Sequence, residues 1–426
     1  LRTIAAWTFR PIPFMEQNRK RYGDRFSAHM GPEGWWVFHS DPDHIRQIFT
    51  APADVLHPGE GARILLPVVG EHSLILLDRD SHLTQRKLML PSFHGERMRA
   101  LEQTMIDVTR AEIERWPRAE VFPLHGALQR LTLEVILHAV FGLEEGPRHE
   151  DLHEVLAVQM DLGGNPLTFL PPFRRGSRWR RIMELQARSD AHIFALINER
   201  REVAEDRDDI LSTLLSARDE TGEPMSDQEL RDELMTLLVA GHETTASALA
   251  WAAEQLVANP DVLARTVQAA DAGDDAWLDA VAQETLRRRP VLPVAAPRRL
   301  KSDYEIGGTT LPAGSTAIAC VYLVHHDEQI YPDPYRFHPQ RFIDESPGTY
   351  TWIPFGGGRR RCIGASFAQL EMRIVLRELL AARELRAGEP GREGSRRRAI
   401  TLSPRRGMPV SLAPRVREPA REPVAV

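Results

Sequence analysis

Phe355-Gly356-Gly357-Gly358-Arg359-Arg360-Arg361-Cys362-Ile363-Gly364 is the stretch on which the reading of this chain turns. It lies between a loop and a segment, 365–384, whose apolar residues recur at helical spacing. A cysteine just ahead of a helix N-terminus faces unpaired backbone N–H groups and the positive end of the helix dipole. Both favour thiolate over thiol. The three arginines add positive potential. The glycines let the backbone fold tightly around the sulfur and donate hydrogen bonds to it. A thiolate held this way is a good ligand for iron. Two other readings stay open for the loop taken alone. One is a buried free thiol. The other is a phosphate cradle, although a P-loop ends in Gly-Lys-Ser/Thr where this chain has Cys-Ile-Gly.

Outward from this loop, the clearest element is 227–258. Ser226-x-x-Glu229 forms a capping-box signature at its start, and Asn259-Pro260 stops it. That span predicts a helix of roughly 48 Å at 1.5 Å per residue. Its centre, Leu237 to Ala253, is apolar nearly all round, which places it in the middle of the protein. Helical spacing also marks 98–116, 124–141, 178–203 and 274–288. Residues 35–39 (WWVFH) and 301–320 carry strand-like character, and in the latter Gly307-Gly308 and Ala313-Gly314 signal turns of a small antiparallel sheet. Ile400 to Leu412 reads as a closing hairpin, and the last dozen residues read as disordered.

The 426 residues carry a net charge of −6, with 27% charged and 42% hydrophobic residues. These are ordinary globular values, and they give no global reason to expect nucleic acid as a partner. Two cysteines, Cys320 and Cys362, cannot build a disulfide framework, so a reducing cytoplasm is expected. No run of eighteen apolar residues occurs, so no transmembrane anchor is expected, and Leu1 to Pro13 lacks a signal-peptide layout. A single domain spanning 1–426 is expected, with no internal repeat.

Three polar groupings need explaining. Glu284 and Arg287 stand at i and i+3 on one helix face, which in isolation reads as an exposed pair contributing roughly 0–1 kcal/mol. Ala240-Gly241-His242-Glu243-Thr244-Thr245 puts polar groups at the centre of the apolar helix, where unpaired ones are costly. Thr244 can back-bond one turn earlier, and Gly241 eases bending, which together predict a local bulge. His82-x-x-x-Arg86 places two donors one turn apart.

Phe355-x-x-Gly358-x-x-x-Cys362-x-Gly364 resembles the haem-binding loop of the cytochrome P-450 family at every fixed position, and the other motifs follow in the family's order. The resemblance implies a mainly α fold with small β-sheets and a long central helix over the haem. It implies haem b, with Cys362 on the iron and Phe355, Gly356 and Gly364 shaping the loop. His82, Arg86, Arg298 and Arg360 would hold propionates, with Arg299 an alternative to Arg298. Glu243 and Thr244 resemble the family's acid–alcohol pair that supplies protons for oxygen activation. His242 is read as packed or hydrogen-bonded, not as a ligand. Arg341, in Pro339-Gln340-Arg341-Phe342, would complete a network with Glu284 and Arg287 that braces the cysteine loop. Gln340 departs from the Glu common there.

By the same resemblance the reaction inserts one oxygen atom of O2 into a hydrophobic small molecule: a terpenoid, fatty acid, steroid or polyketide. The pocket would draw on Leu65, Leu66, Val68, Ala240, Val291, Leu292, Val294 and Pro404. Electrons would come from a ferredoxin or flavodoxin with its reductase, docked on positive charge at Arg359–Arg361 and Arg97 and Arg99. Rivals are a peroxide-using or isomerising relative, disfavoured by the presence of Glu243-Thr244, and a haem carrier or gas sensor.

Overall fold

The computed structural model describes residues 2–165, 168, 176–203 and 207–415. The expectation for the last dozen residues falls almost wholly outside them.

The central helix is Asp227–Ala258. Ser226 caps it as the sequence requires: the Glu229 N–H donates to the Ser226 hydroxyl at 3.2 Å, and the Ser226 N–H donates to the Glu229 carboxylate at 2.8 Å. Leu234, Met235, Leu238, Leu249, Trp251 and Leu256 are fully buried. Each such side chain contributes on the order of 1.5–3 kcal/mol by leaving water. The helix packs against Leu124–Ala139, Ala365–Ala382 and the strand Thr401–Pro404. Trp251 fixes the last contact by donating its indole N–H to the Leu402 carbonyl at 2.8 Å. Helices Gly95–Arg115, Ser177–Glu202 and Asp275–Arg288 lie within a few residues of their predicted ends.

A five-stranded sheet runs in the spatial order Arg25–His29, Trp35–His39, Thr316–Ala319, Arg298–Leu300, Leu56–His57. Trp35–His39 and Thr316–Ala319 pair in parallel, and the other neighbours are antiparallel. Tyr304–Ile306 and Thr309–Leu311 form the expected hairpin, with Gly307 and Gly308 both at positive φ in its turn. Beside the sheet Trp7, Phe14, Phe26 and Phe38 form an aromatic cluster, Phe26 stacking on Phe38 at 4.8 Å.

The hairpin expected over 400–412 does not form. Thr401–Pro404 pairs with Ser395–Arg398, whereas Pro409–Pro414 pairs with Arg383–Ala387 and Val121–Pro123. Gly407 and Met408, both at positive φ, swing the chain from one sheet to the other. All four residues of Thr401–Pro404 are buried, so this strand serves as a lining for the core and not as half of a surface ribbon. Among the described residues, no helix is long and apolar enough to cross a membrane.

Candidate functional site

Cys362 precedes the helix Ala365–Ala382, and its N–H donates to the Phe355 carbonyl at 2.9 Å, closing the loop on itself. The residue has accessible surface, yet protein encloses its thiol on nearly every side, so that surface belongs to an interior recess. Burial pushes the thiol pKa up. The Gly364 backbone and the charges of Arg86 and Arg361 oppose the rise without cancelling it. The loop backbone and the arginines thus favour the thiolate, as the sequence suggests, against the desolvation cost of the enclosed site.

Two of the glycines also serve a further end. A Cβ on Gly357 would fall 2.2 Å from the Phe49 ring, and one on Gly358 2.1 Å from the Phe49 carbonyl oxygen. Gly357 and Gly358 make room for helix Pro42–Thr50, on which the loop is seated, while the Gly364 backbone hydrogen-bonds the Cys362 thiol as expected. Gly356 and Gly358 also adopt positive φ.

Three arginines and a histidine gather beside the loop. His82 is buried, and burial, then Arg360 and Arg86, hold it down to about 3, so it is neutral. Arg298 donates to the Ile48 carbonyl at 2.6 Å, and its buried Nε has no partner. Burial, then the charge of Arg360, depresses it to about 9. The Arg86 guanidinium has no hydrogen bond or ion pair among the described residues, and burial lowers it too. Arg360 donates to the Leu74 and Leu77 carbonyls and to Asp78, the last at 2.6 Å. Three half-buried or buried guanidiniums with one carboxylate among them leave positive charge uncompensated. That donor set fits a dianionic ligand such as the propionates of a haem. Arg299 points elsewhere, to the Glu33 carbonyl at 2.8 Å.

The ion-pair helix Asp275–Arg288 buries Glu284 and Arg287 completely. Arg287 Nε and Nη2 donate to the Glu284 carboxylate at 2.7 and 2.8 Å. Its remaining donors reach the His325, Pro334 and Arg336 carbonyls at 2.7, 2.9 and 3.2 Å. Arg341 Nε lies 3.2 Å from Glu284, which also accepts the His338 N–H at 2.8 Å. His325 in turn accepts the Ile353 N–H at 2.9 Å, just ahead of the cysteine loop. The exposed-pair reading is therefore wrong for this site: the network ties three loop segments to one helix.

On the central helix, Thr244 Oγ1 donates to the Ala240 carbonyl at 2.5 Å. The helix assignment runs unbroken through 240–245, with the Thr244 back-bond in place as expected. Ala240 is exposed, and Val239, Gly241, Glu243 and Thr244 are half-buried, between two buried runs of the helix, which marks an internal hollow. Glu243 accepts from Gln129 at 2.6 Å and Ser247 at 3.1 Å, and lies 3.3 Å from His125 and 3.4 Å from Arg398. Burial pushes its pKa up, but His125 and Arg398 outweigh this and hold it at about 2. His242 is buried and 3.0 Å from the Thr132 hydroxyl, a packed histidine as expected.

The pocket candidates divide. Leu65, Val68, Val291 and Pro404 are buried, and Leu66 and Leu292 half-buried. Val68 and Val291 belong to the main core, and Val294 packs on the aromatic cluster around Trp7 and Phe38. Several residues escaped the sequence reading. Glu233 accepts the Leu74 N–H at 2.8 Å and Gln85 Nε2 at 3.1 Å, anchoring the 70–77 loop to the central helix. Glu371, on Ala365–Ala382, is buried against Thr245. Its signal was a carboxylate four residues after buried Phe367 on an apolar face. Asp78, Gln129 and Arg398 carried no local signal.

A long buried helix carrying an acid and an alcohol, above a braced cysteine loop flanked by arginines, defines a haem-thiolate enzyme. Residues 10–390 match the family described as Cytochrome P450. Cytochrome P450 135B1 of Mycobacterium tuberculosis is 40% identical over 406 residues, covering 93% of this chain and 86% of that protein. Cytochrome P450 135A1 of the same species is 37% identical, covering 95% and 91%, and cytochrome P450 138 is 36% identical, covering 91% and 88%. Among solved structures, retinoic acid-bound cyanobacterial CYP120A1 superposes with a TM-score of 0.84 at 24% identity, covering 96% of both chains. The chain belongs to the cytochrome P450 family. It is a haem-thiolate monooxygenase that binds haem b and acts on O2 and a substrate with electrons from a redox partner.

Proposed function

We propose that this enzyme oxygenates an apolar small molecule, of terpenoid, fatty acid, steroid or polyketide class, using electrons from a ferredoxin or flavodoxin. The observation that carries the reading is the exposed Ala240 in the midst of a buried helix, one turn before Thr244. Leu65, Leu66 and Leu292 supply apolar side chains in the flanking segments. A ligand in such a space is held by burial of apolar area and not by ion pairing. Bound haem supplies the activation of O2, one atom entering the substrate and the other leaving as water, with two electrons and two protons consumed.

The chain's own parts divide the remaining work. Cys362 ligates the iron. His82, Arg86, Arg298 and Arg360 hold the propionates, with Phe355, Gly356 and Gly364 shaping the seat. Thr244 Oγ1 keeps a proton beside the hollow, and Glu243 replenishes it from its polar cluster. Glu284, Arg287 and Arg341 brace the loop. The docking patch is narrower than its sequence suggests: Arg360 is turned inward, Arg97 is 3.2 Å from Asp208, and Arg99 3.9 Å from Glu96. Arg359 and Arg361 are the exposed charges at the loop. A cytoplasmic site of action is supported by two unpaired cysteines, one of them the iron ligand.

Titrating the haem-loaded protein with a panel of apolar and polar compounds tests the reading. Apolar members should shift the Soret band saturably, and Leu66→Arg should abolish the shift. Saturable shifts by polar, charged compounds alone would overturn the substrate class. Reduction supported equally well by a ferredoxin at low and high salt would remove the case for an arginine-mediated partner.

A further inference from the structure

Helices Leu124–Ala139 and Pro147–Gly163 carry a cluster that the monooxygenase chemistry does not use. Each offers a pair of ligating side chains one turn apart: Glu134 and His138 on the first, His149 and His153 on the second. The three histidine Nε2 atoms lie 3.7, 2.8 and 3.4 Å from the Glu134 carboxylate, taken in order along the chain. One ligand atom each from Glu134, His138 and His149 falls within 4.8 Å of the others. Four donors set at 2.0–2.1 Å around a tetrahedral zinc ion stand roughly 3.3 Å apart. Small side-chain rotations would therefore close Glu134, His138 and His149 on one ion, and His153, 3.4 Å from the other Glu134 oxygen, would have to swing further to join as the fourth ligand.

Hydrogen bonding does not account for the arrangement. Nε2 of His149 and of His153 are buried and lack hydrogen-bond partners. The His149 side chain is only 9% exposed, and its Nε2 is 2.8 Å from Glu134 Oε2 without the alignment of a hydrogen bond. An imidazole nitrogen left unsatisfied inside a protein needs a partner. A helix-to-helix hydrogen-bonded tie would have aimed nitrogen and oxygen at each other. Here several lone pairs converge instead.

The surroundings suit a cation. Arg115 and Arg130 stand close by, but both turn to Glu112, at 2.6 and 3.5 Å. Glu145 and Glu150 line the same open cleft as Glu134, His149 and His153, which gives an ion a route from solvent.

We propose that Glu134, His138, His149 and His153 form a site for a divalent transition metal of the zinc class that cross-links these two helices. Imidazole and carboxylate together favour zinc, nickel or copper over calcium and magnesium. Four protein ligands leave no open position, so the metal's role is structural and the haem chemistry proceeds without it.

The test uses the full-length, haem-loaded enzyme, stripped with a chelator and dialysed against zinc. Elemental analysis should find one zinc per chain beyond the haem iron, and Tm should rise on zinc addition. His149→Ala and Glu134→Gln should each weaken zinc binding by on the order of 100-fold. Both should keep the reduced carbon monoxide spectrum of the parent. Zinc-edge X-ray absorption of the wild-type protein should show about three imidazole nitrogens and an oxygen, a readout independent of whether any variant folds. Absence of stoichiometric zinc in the folded wild type would overturn the proposal. So would unchanged affinity in the variants, or an absorption spectrum without imidazole.

Discussion

The carboxylate of Glu243 lies 3.4 Å from Arg398, so the central acid of the longest helix is tied to a strand near the end of the described chain. His125, Gln129 and Ser247 complete the grip. An acid so held is ionised throughout the range in which the enzyme can be assayed. It delivers a proton only when one of these partners does so through it.

Glu243→Gln is expected to lower the turnover of coupled substrate oxidation by roughly 100-fold, the usual scale for losing one proton-transfer group. Haem content and the reduced carbon monoxide spectrum should be unchanged. Because burial raises Glu243 but its partners bring it to about 2, no acid limb above about pH 4 should belong to it. Steady-state rates between pH 5 and 9 check both statements; wild-type turnover in the Gln variant would remove Glu243 from the proton path.

Arg287→Lys should cost the enzyme its haem-loaded yield. The ammonium has three donors at one point, where Arg287 now serves a carboxylate and three carbonyls in a fixed fork. Leaving two buried acceptors unmet costs about 2–6 kcal/mol, comparable to breaking a buried ion pair. Thermal unfolding of whatever holoenzyme can be isolated reads the effect. A variant of parental Tm would show that the network is dispensable.

Arg298→Leu removes a guanidinium whose Nε has no protein partner. The apoprotein should change little in stability, since relief of a poorly compensated buried charge offsets the hydrogen bond lost at the Ile48 carbonyl. Haem affinity should fall by roughly 10- to 100-fold, the worth of a charge-assisted hydrogen bond of about 1.5–3 kcal/mol. Haem transfer to apomyoglobin measures it. Parental transfer rates would argue that Arg298 does not face a propionate.

Glu233 and Glu371 should make the fold less stable as pH rises. Burial pushes both carboxyls up to about 8, from an ordinary 4.5. The folded state thus keeps protons that the unfolded chain has lost: stability is intact below about pH 4.5 and erodes toward pH 8. Glu233→Gln keeps an oxygen for the Leu74 N–H and Gln85 and has no proton to lose. Its stability relative to the parent should be near zero at pH 4.5 and favourable by on the order of 1–3 kcal/mol at pH 8. Denaturant midpoints at the two pH values decide it, and a pH-independent difference would contradict it.

Much of this was legible in the sequence because it rests on local patterns. Ser226 and Glu229 cap a helix through neighbours three residues away, and Gly307-Gly308 turns a hairpin within eight residues. The cysteine loop, Glu284–Arg287 and Glu243–Thr244 are likewise short motifs. What stayed hidden depends on partners distant in the chain. Nothing near Arg398 announces Glu243, nothing near Asp78 announces Arg360, and the separate sheets of Thr401–Pro404 and Pro409–Pro414 follow from strands elsewhere. The burial that lifts the Cys362 thiol is likewise a property of the assembled protein, which no pattern of neighbouring arginines reveals.

The seating of Gly357 and Gly358 on Phe49 has a consequence in time. The iron-binding loop takes its shape from a residue near the other end of the chain, so it cannot be finished while that end is unfolded. Capture of the prosthetic group is then a closing event of biogenesis, one that reports on the integrity of the whole polypeptide.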